Sequence, residues 1–163
     1  MEARLYPVLV HPLVRYGVGL LALFLLLVLA FALLPPIVAL AGPPPDLWFL
    51  GYGPERLAGF LGALGEKGRA LYRLFLLYDL GFAPIYGAAL SGWLYHFYRA
   101  PGYARPPLVA ALADLGENLL LLSQLGQVRP GLAVLAGYLT FFKWVLLAFS
   151  LGAALYALRL GRR

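Results

Sequence analysis

One uninterrupted apolar segment near the start of the chain restricts the fold more than any other feature. Residues 16–34 contain no charged or amide side chain. In helical form these nineteen residues extend about 28 Å at ~1.5 Å per residue, close to the ~30 Å hydrocarbon core of a bilayer. The segment therefore predicts a membrane-spanning helix that ends at Pro35-Pro36.

A secretory signal peptide is the alternative interpretation of this segment, because Ala39-Leu40-Ala41 fits a cleavage site. The apolar run is longer than the ~7–15 residues of a signal-peptide core. Later segments indicate a membrane protein in either case. We favour the uncleaved helix.

The rest of the chain repeats the apolar pattern. The full chain is 63% hydrophobic and only 12% charged, with a mean hydropathy of +0.83, whereas soluble domains are about 25% charged. The sequence predicts an all-α polytopic membrane protein, a single integral membrane domain folded as an antiparallel bundle of four transmembrane helices. The predicted spans are residues 16–34, 73–95, 107–126 and 132–158.

Several classes of protein are excluded by composition. The absence of cysteine removes disulfides, iron–sulfur clusters and thiol redox chemistry. The net charge of +6 does not indicate nucleic-acid binding, because most basic residues flank apolar segments, where they set topology and contact anionic lipids. His11 and His96 do not face each other inside a span, which disfavours haem. We expect no cofactor and no metal.

The longest predicted connection is an outer loop at residues 35–68. Pro43-Pro44-Pro45 is a stiff spacer, and residues 46–50 are apolar enough to lie at the membrane interface. A short amphipathic helix, serving as a lid or as a structural element, is expected after Pro54 and is ended by Gly65. Its apolar face has the spacing i, i+3, i+4, i+7: Leu57, Phe60, Leu61 and Leu64.

Basic residues predict the orientation. With four spans, seven lie on the side of both termini and five lie on the side of the long loop. The positive-inside rule places both termini in the cytoplasm and the protein in the inner membrane. The seven are Arg4, Arg15, Arg99, Arg105, Arg159, Arg162 and Arg163, and the five are Arg56, Lys67, Arg69, Arg73 and Arg129.

Three of the seven acids of the chain fall inside predicted spans, together with one base, Lys143. Asp114 and Glu117 share a helix face with Asn118 at i, i+3, i+4. Lys143 can neutralise one carboxylate. The other two must be protonated, hydrated, hydrogen-bonded or paired with an arginine near the outer surface, because charge inside a membrane is costly.

Polar residues also recur every seven positions from the start of the second predicted span and form a stripe along it: Tyr72, Asp79 and Tyr86. Polar groups also join helices in purely structural pairs, worth about 0.6 kcal/mol on average in one measured system. Three acids to one base exceed that need and favour a functional site. The candidate buried polar site comprises Arg69, Tyr72, Asp79, Tyr86, Asp114, Glu117, Asn118 and Lys143.

The pattern Gly-Arg-x2-Tyr-x6-Asp-x6-Tyr, followed by Asp-x2-Glu-Asn and Lys-Trp, spans residues 68–144. It resembles an uncharacterised group of small bacterial four-span integral membrane proteins. The resemblance implies the four-span fold and a common site at these residues, and it implies no activity.

Three functions remain open at this point. The buried acids suit proton- or cation-linked transport or small-ligand binding. They also suit an integral membrane enzyme acting on a lipid or isoprenoid, and a structural subunit is the third hypothesis. The expected partners are the lipid bilayer and a small molecule, a proton or a lipid.

Overall fold

The computed structural model describes residues 7–161, and this part of the chain is helical with no strand. Helix α1, Pro12–Val28, continues through a π-helical turn, Leu29–Leu33, into α2, Leu34–Ala41. The sequence predicted that this helix ends at Pro35-Pro36, but it continues through both prolines to Ala41. Proline is tolerated in a first helical turn, where its missing N–H leaves no bond unmade. The wider turn before it resets the hydrogen-bond register.

Residues 42–53 form an irregular segment that begins at Gly42, with φ of +78°, and contains a 3₁₀ turn, Pro45–Leu47. Residues 44–46 of this segment enter the protein interior, whereas Phe49 and Leu50 are exposed. The expected membrane-interface position of residues 46–50 therefore stays a prediction. Pro45 and Asp46 are buried, and Trp144 Nε1 donates a 2.7 Å hydrogen bond to the Asp46 carbonyl oxygen.

Helix α3, Pro54–Tyr98, bends at Gly65, whose φ of +63° is left-handed. The predicted short helix is present as the part before this bend. Its apolar face packs on protein, because Leu57 and Leu64 are buried in a core that includes Ile37 and Tyr72. This part is therefore a structural element of the core and not a free lid on the membrane surface.

Helices α4, Pro101–Gln124, and α5, Pro130–Arg159, complete the described fold. Helix α4 packs extensively on both α3 and α5. Helix α1 packs on α3 but makes no comparable contact with α5. A gap therefore remains between α1 and α5.

Three helical stretches of the described chain are long and apolar enough to cross a membrane: Pro12–Ala41, Pro54–Tyr98 and Pro130–Arg159. Helix α4 has 24 residues but is not among them. Its inward face carries Asp114, Glu117 and Asn118, all buried, and these polar side chains lower its hydropathy.

Candidate functional site

Lys143 on α5 lies at the centre of a buried ionic cluster. Its Nζ atom is 2.7 Å from Asp114 Oδ1 and 2.7 Å from Glu117 Oε2. The three side chains are at most 5% exposed. Because the two acids are one turn apart on α4, a single ammonium reaches both of them. The sequence predicted that Lys143 neutralises one carboxylate; in the structure its single charge is shared between two.

Hydroxyl groups complete the surroundings of this pair of carboxylates. Tyr86 Oη donates a 3.0 Å hydrogen bond to Asp114 Oδ2. Thr140, one turn before Lys143 on α5, donates to Glu117 Oε1. Each carboxylate therefore faces the ammonium with one oxygen and a hydroxyl with the other, an arrangement that stabilises its charged form.

Asp79 lies beside this cluster and is bound by a different partner. Asn118 Nδ2 donates a 2.8 Å hydrogen bond to Asp79 Oδ2. The Asp79 side chain, like that of Asn118, is buried. The Asn118 amide carries no charge, so its hydrogen bond stabilises the Asp79 carboxylate without neutralising it.

Asp46 is a fourth acid in the same place, and the sequence argument missed it. Tyr72 Oη donates a 3.1 Å hydrogen bond to Asp46 Oδ2, while Asp46 Oδ1 is buried without a hydrogen-bond partner among the described residues. Burial raises the pKa of the Asp46 carboxyl, and the nearby Lys143 ammonium acts in the opposite direction. The sequence did contain a signal for this position: residues 47–50, which follow three prolines and Asp46, are too apolar for a free loop.

Tyr52 was also missed, and it lies on the same segment. Its hydroxyl is buried without a hydrogen-bond partner among the described residues. Burial raises the pKa of this phenol, and the negative charges of Glu117 and Asp46 raise it further. Tyr52 is therefore a neutral polar group at the edge of the cluster.

Arg69 is placed away from the carboxylates. Its Nε atom donates to the Leu61 carbonyl oxygen at 2.9 Å, and Nη1 donates to the Leu125 carbonyl oxygen at 3.1 Å. The guanidinium thus joins the short first part of α3 to the end of α4. The structure brings together seven of the eight candidate residues and assigns Arg69 a structural role.

Four carboxylates surround one ammonium in the described interior: Asp46, Asp79, Asp114 and Glu117 around Lys143. Oxygen atoms of Asp46, Asp114 and Glu117 lie within 4.8 Å of one another, a spacing that suits a hard cation with oxygen ligands. Lys143 already contacts two of these carboxylates. The excess of acid requires bound protons, or hydrogen-bond donors from a ligand.

A cavity of about 490 Å³ lies in the gap between α1 and α5. Along α3 its lining extends from Asp79 to Trp93, about 21 Å at ~1.5 Å per residue. The Asp79 end also contains Asp46, Asp114 and Lys143, and the rest is almost entirely apolar. The cavity is therefore amphipathic along its length.

The cavity reaches the outer surface of the helices. Leu23 and Leu26 of α1 and Leu151 of α5 line it, and they are 51%, 45% and 48% exposed. Residues that both line the cavity and face outward mark an opening between α1 and α5.

Fold and site together define an all-α protein with helices suited to a membrane and a buried carboxylate–lysine cluster beside an amphipathic cavity. In comparisons with known proteins, no family model, no curated protein and no solved structure matches the chain.

Proposed function

We propose that this protein is a multi-pass inner-membrane protein that binds a lipid-like small molecule in the cavity between α1 and α5. The observation that carries the proposal is the lining of that cavity, with charged groups at the Asp79 end and apolar walls up to Trp93. Ligand sites have this composition, mostly apolar with a few polar groups that fix orientation, and volumes of about 300–1,000 Å³.

The proposed membrane arrangement includes α4 as a fourth span in an antiparallel bundle. Its 24 residues extend about 36 Å at ~1.5 Å per residue, enough to cross the hydrocarbon core. Its polar face is buried, and Val109, Leu112 and Leu119 are exposed on it. An apolar outer face with a polar inner face is the pattern of a helix that contacts lipid.

The surface of α1 supports the same arrangement. Leu20 and Phe24 of α1 are exposed, as is Phe31 of the π-helical turn that continues it, and water would solvate such a surface poorly. The excess of basic residues on the side of both termini favours termini in the cytoplasm; Arg4, Arg162 and Arg163, which contribute to that excess, lie outside the described residues.

The opening between α1 and α5 would then face the bilayer. A ligand with an apolar chain would enter sideways from the lipid phase, with its chain along the apolar walls and its polar group at the carboxylates. Burial of the chain alone would give little affinity, because lipid is as apolar as the cavity walls. The polar end therefore supplies the specificity.

A test is to fill the cavity from α1 and measure the bound small molecules. Ala22 lines the cavity, so Ala22→Phe would occupy its apolar half. Leu20→Phe is the matched control, because Leu20 is exposed on the same helix. Mass spectrometry of organic extracts from the purified proteins should show a compound at stoichiometric amounts in the wild type and Leu20→Phe, and at least tenfold less in Ala22→Phe. Equal amounts in all three, or none in any, would refute the proposal.

Proton exchange linked to ligand binding is a second candidate, favoured by the four acids around one ammonium. A ligand that donates to these groups would displace protons from them. Proton release on ligand binding, measured with a dye in weakly buffered solution, should decrease in Glu117→Gln or Asp79→Asn. No proton release at any pH between 5 and 9 would exclude this candidate.

A further inference from the structure

The charges at the polar end of the cavity restrict which head group can bind there. Asp46, Asp79 and Asp114 face the cavity with Lys143. The ammonium is already within 2.7 Å of Asp114 and Glu117. Among the described residues that line the cavity, the only cationic side chain is thus engaged by two carboxylates, and Asp46 and Asp79 have no cation of their own there.

Asp46 supplies the second observation. Its Oδ1 atom is buried without a hydrogen-bond partner among the described residues, although the residue lines the cavity and is only 5% exposed. An unsatisfied buried acceptor is destabilising, and more so when it is charged. A donor from a ligand would remove that cost at this position.

An anionic head group meets the opposite situation. A phosphate would bring negative charge beside three carboxylates, and like charges placed together in a binding site cost several kcal/mol. Phosphate sites usually offer arginine or several donors, and within the described part of the chain no arginine lies at the Asp79 end of the cavity. Arg15 lies at the opposite end, where its guanidinium is stacked on Trp93.

Building on the proposed function, we propose that the cavity binds a single-chain amphiphile whose head group donates hydrogen bonds and carries no negative charge. Its head is a primary amine or a hydroxyl, and Asp46 and Asp79 accept its hydrogen bonds. Asp46 is the residue that determines this preference, because it lines the cavity and its Oδ1 atom has no hydrogen-bond partner among the described residues.

The aromatic residues of the cavity provide a direct assay. Of the three tryptophans of the chain, Trp93 and Trp144 line the cavity, while Trp48 packs on Tyr52 and Phe60. In a Trp48→Phe background the remaining fluorescence reports on the cavity. The probes are three twelve-carbon chains brominated near the tail, one ending in a primary amine, one in a hydroxyl and one in a phosphate. Each is titrated into protein in nanodiscs of zwitterionic lipid.

The expected result is saturable quenching by the amine and the alcohol, with the phosphate at least roughly tenfold weaker. Ala22→Phe should reduce the saturable component of each probe, which separates cavity binding from quenching by probe dissolved in the bilayer. Asp46→Asn should weaken the amine more than the alcohol, because an amide retains an acceptor but loses the charge. The comparison of head groups in the unsubstituted cavity stands even where Asp46→Asn fails to fold.

The contrary outcomes separate the two proposals. If no probe shows saturable quenching sensitive to Ala22→Phe, the cavity is not a ligand site and the proposed function fails with the head-group preference. If all three probes bind equally through the cavity, or if the phosphate binds most tightly, the proposed function stands and the head-group preference is wrong.

Discussion

Tyr72 on α3 donates a 3.1 Å hydrogen bond to Asp46, a residue of the irregular segment between α2 and α3. The bond joins a helix of the core to a segment that would otherwise be an ordinary loop. It holds one oxygen of Asp46 in place, while the other is buried without a hydrogen-bond partner among the described residues. The position of the fourth carboxylate thus depends on a tyrosine that is itself fully buried.

Removal of the Tyr72 hydroxyl should destabilise the protein. Tyr72→Phe removes the hydrogen bond that Tyr72 donates to the Asp46 carboxylate, and the expected loss is about 1–3 kcal/mol in the free energy of unfolding. Tyr138→Phe is the matched control, because Tyr138 is exposed. Thermal unfolding in detergent measures both. Equal midpoints for the two variants would contradict the structural role of this bond.

Removal of the Lys143 ammonium should have a larger effect. Lys143→Met leaves Asp114 and Glu117 buried without their cation, and breaking a buried ion pair costs about 3–5 kcal/mol. Adding Glu117→Gln removes one uncompensated charge and should restore part of the stability. The midpoint of the double variant should therefore exceed that of Lys143→Met. A double variant less stable than the single one would show that Lys143 acts through packing and not through charge.

Close backbone contact fixes the irregular segment on α5. A Cβ atom at Gly137 would overlap the backbone of Tyr52, and one at Gly51 would lie 2.5 Å from the Gly137 carbonyl oxygen. Gly137→Ala should displace the segment that carries Asp46 and destabilise the protein by roughly 1–3 kcal/mol, the range for overpacked sites.

Gly152→Ala serves as the matched control on the same helix, because a Cβ there meets nothing within 4 Å. In that variant alanine should be neutral or stabilising by up to about 1 kcal/mol. Unfolding midpoints decide the comparison. A harmless Gly137→Ala would mean that the segment does not lie against α5.

The stability of the fold should depend on pH through Asp46. Burial raises the pKa of this carboxyl in the folded protein, so the folded state binds the proton more tightly than the unfolded state. The contribution to stability is greatest below the ordinary pKa of about 3.9 and decreases as the pH rises through the raised pKa. Asp46→Asn removes this contribution. Its midpoint should change less between about pH 4 and 8 than that of the wild type, and parallel curves would contradict the burial of a titrating Asp46.

The sequence predicted much of the cluster, because helix periodicity determines which residues share a face. Asp114, Glu117 and Asn118 at i, i+3, i+4 face inward as expected, and Tyr86 and Asp79 of the stripe reach them. These relationships depend on regular helical geometry. The predicted partner Lys143 lies between two of the acids.

The sequence could not predict contacts made by irregular backbone. The path of residues 42–53 into the interior depends on glycine contacts with α5 and on the Trp144 bond to Asp46, and neither has a periodic signal. The continuation of the first helix through Pro35 was missed for a similar reason, since the π-helical turn before it is a local adjustment. Arg69 bonds to carbonyl oxygens, which no charge count reveals. The predicted site did not include Asp46, because the path of residues 42–53 could not be predicted.

In the proposed binding mode, one ligand reaches the carboxylate cluster through the gap between α1 and α5. The most direct measurement is a crystal structure with a tail-brominated twelve-carbon alcohol, in which anomalous scattering locates the bromine. We expect a bromine peak beside Trp93 within the cavity and a hydroxyl within hydrogen-bond distance of Asp46 or Asp79. Bromine peaks confined to the outer surface of α1, with the cavity closed or filled by side chains, would contradict this binding mode.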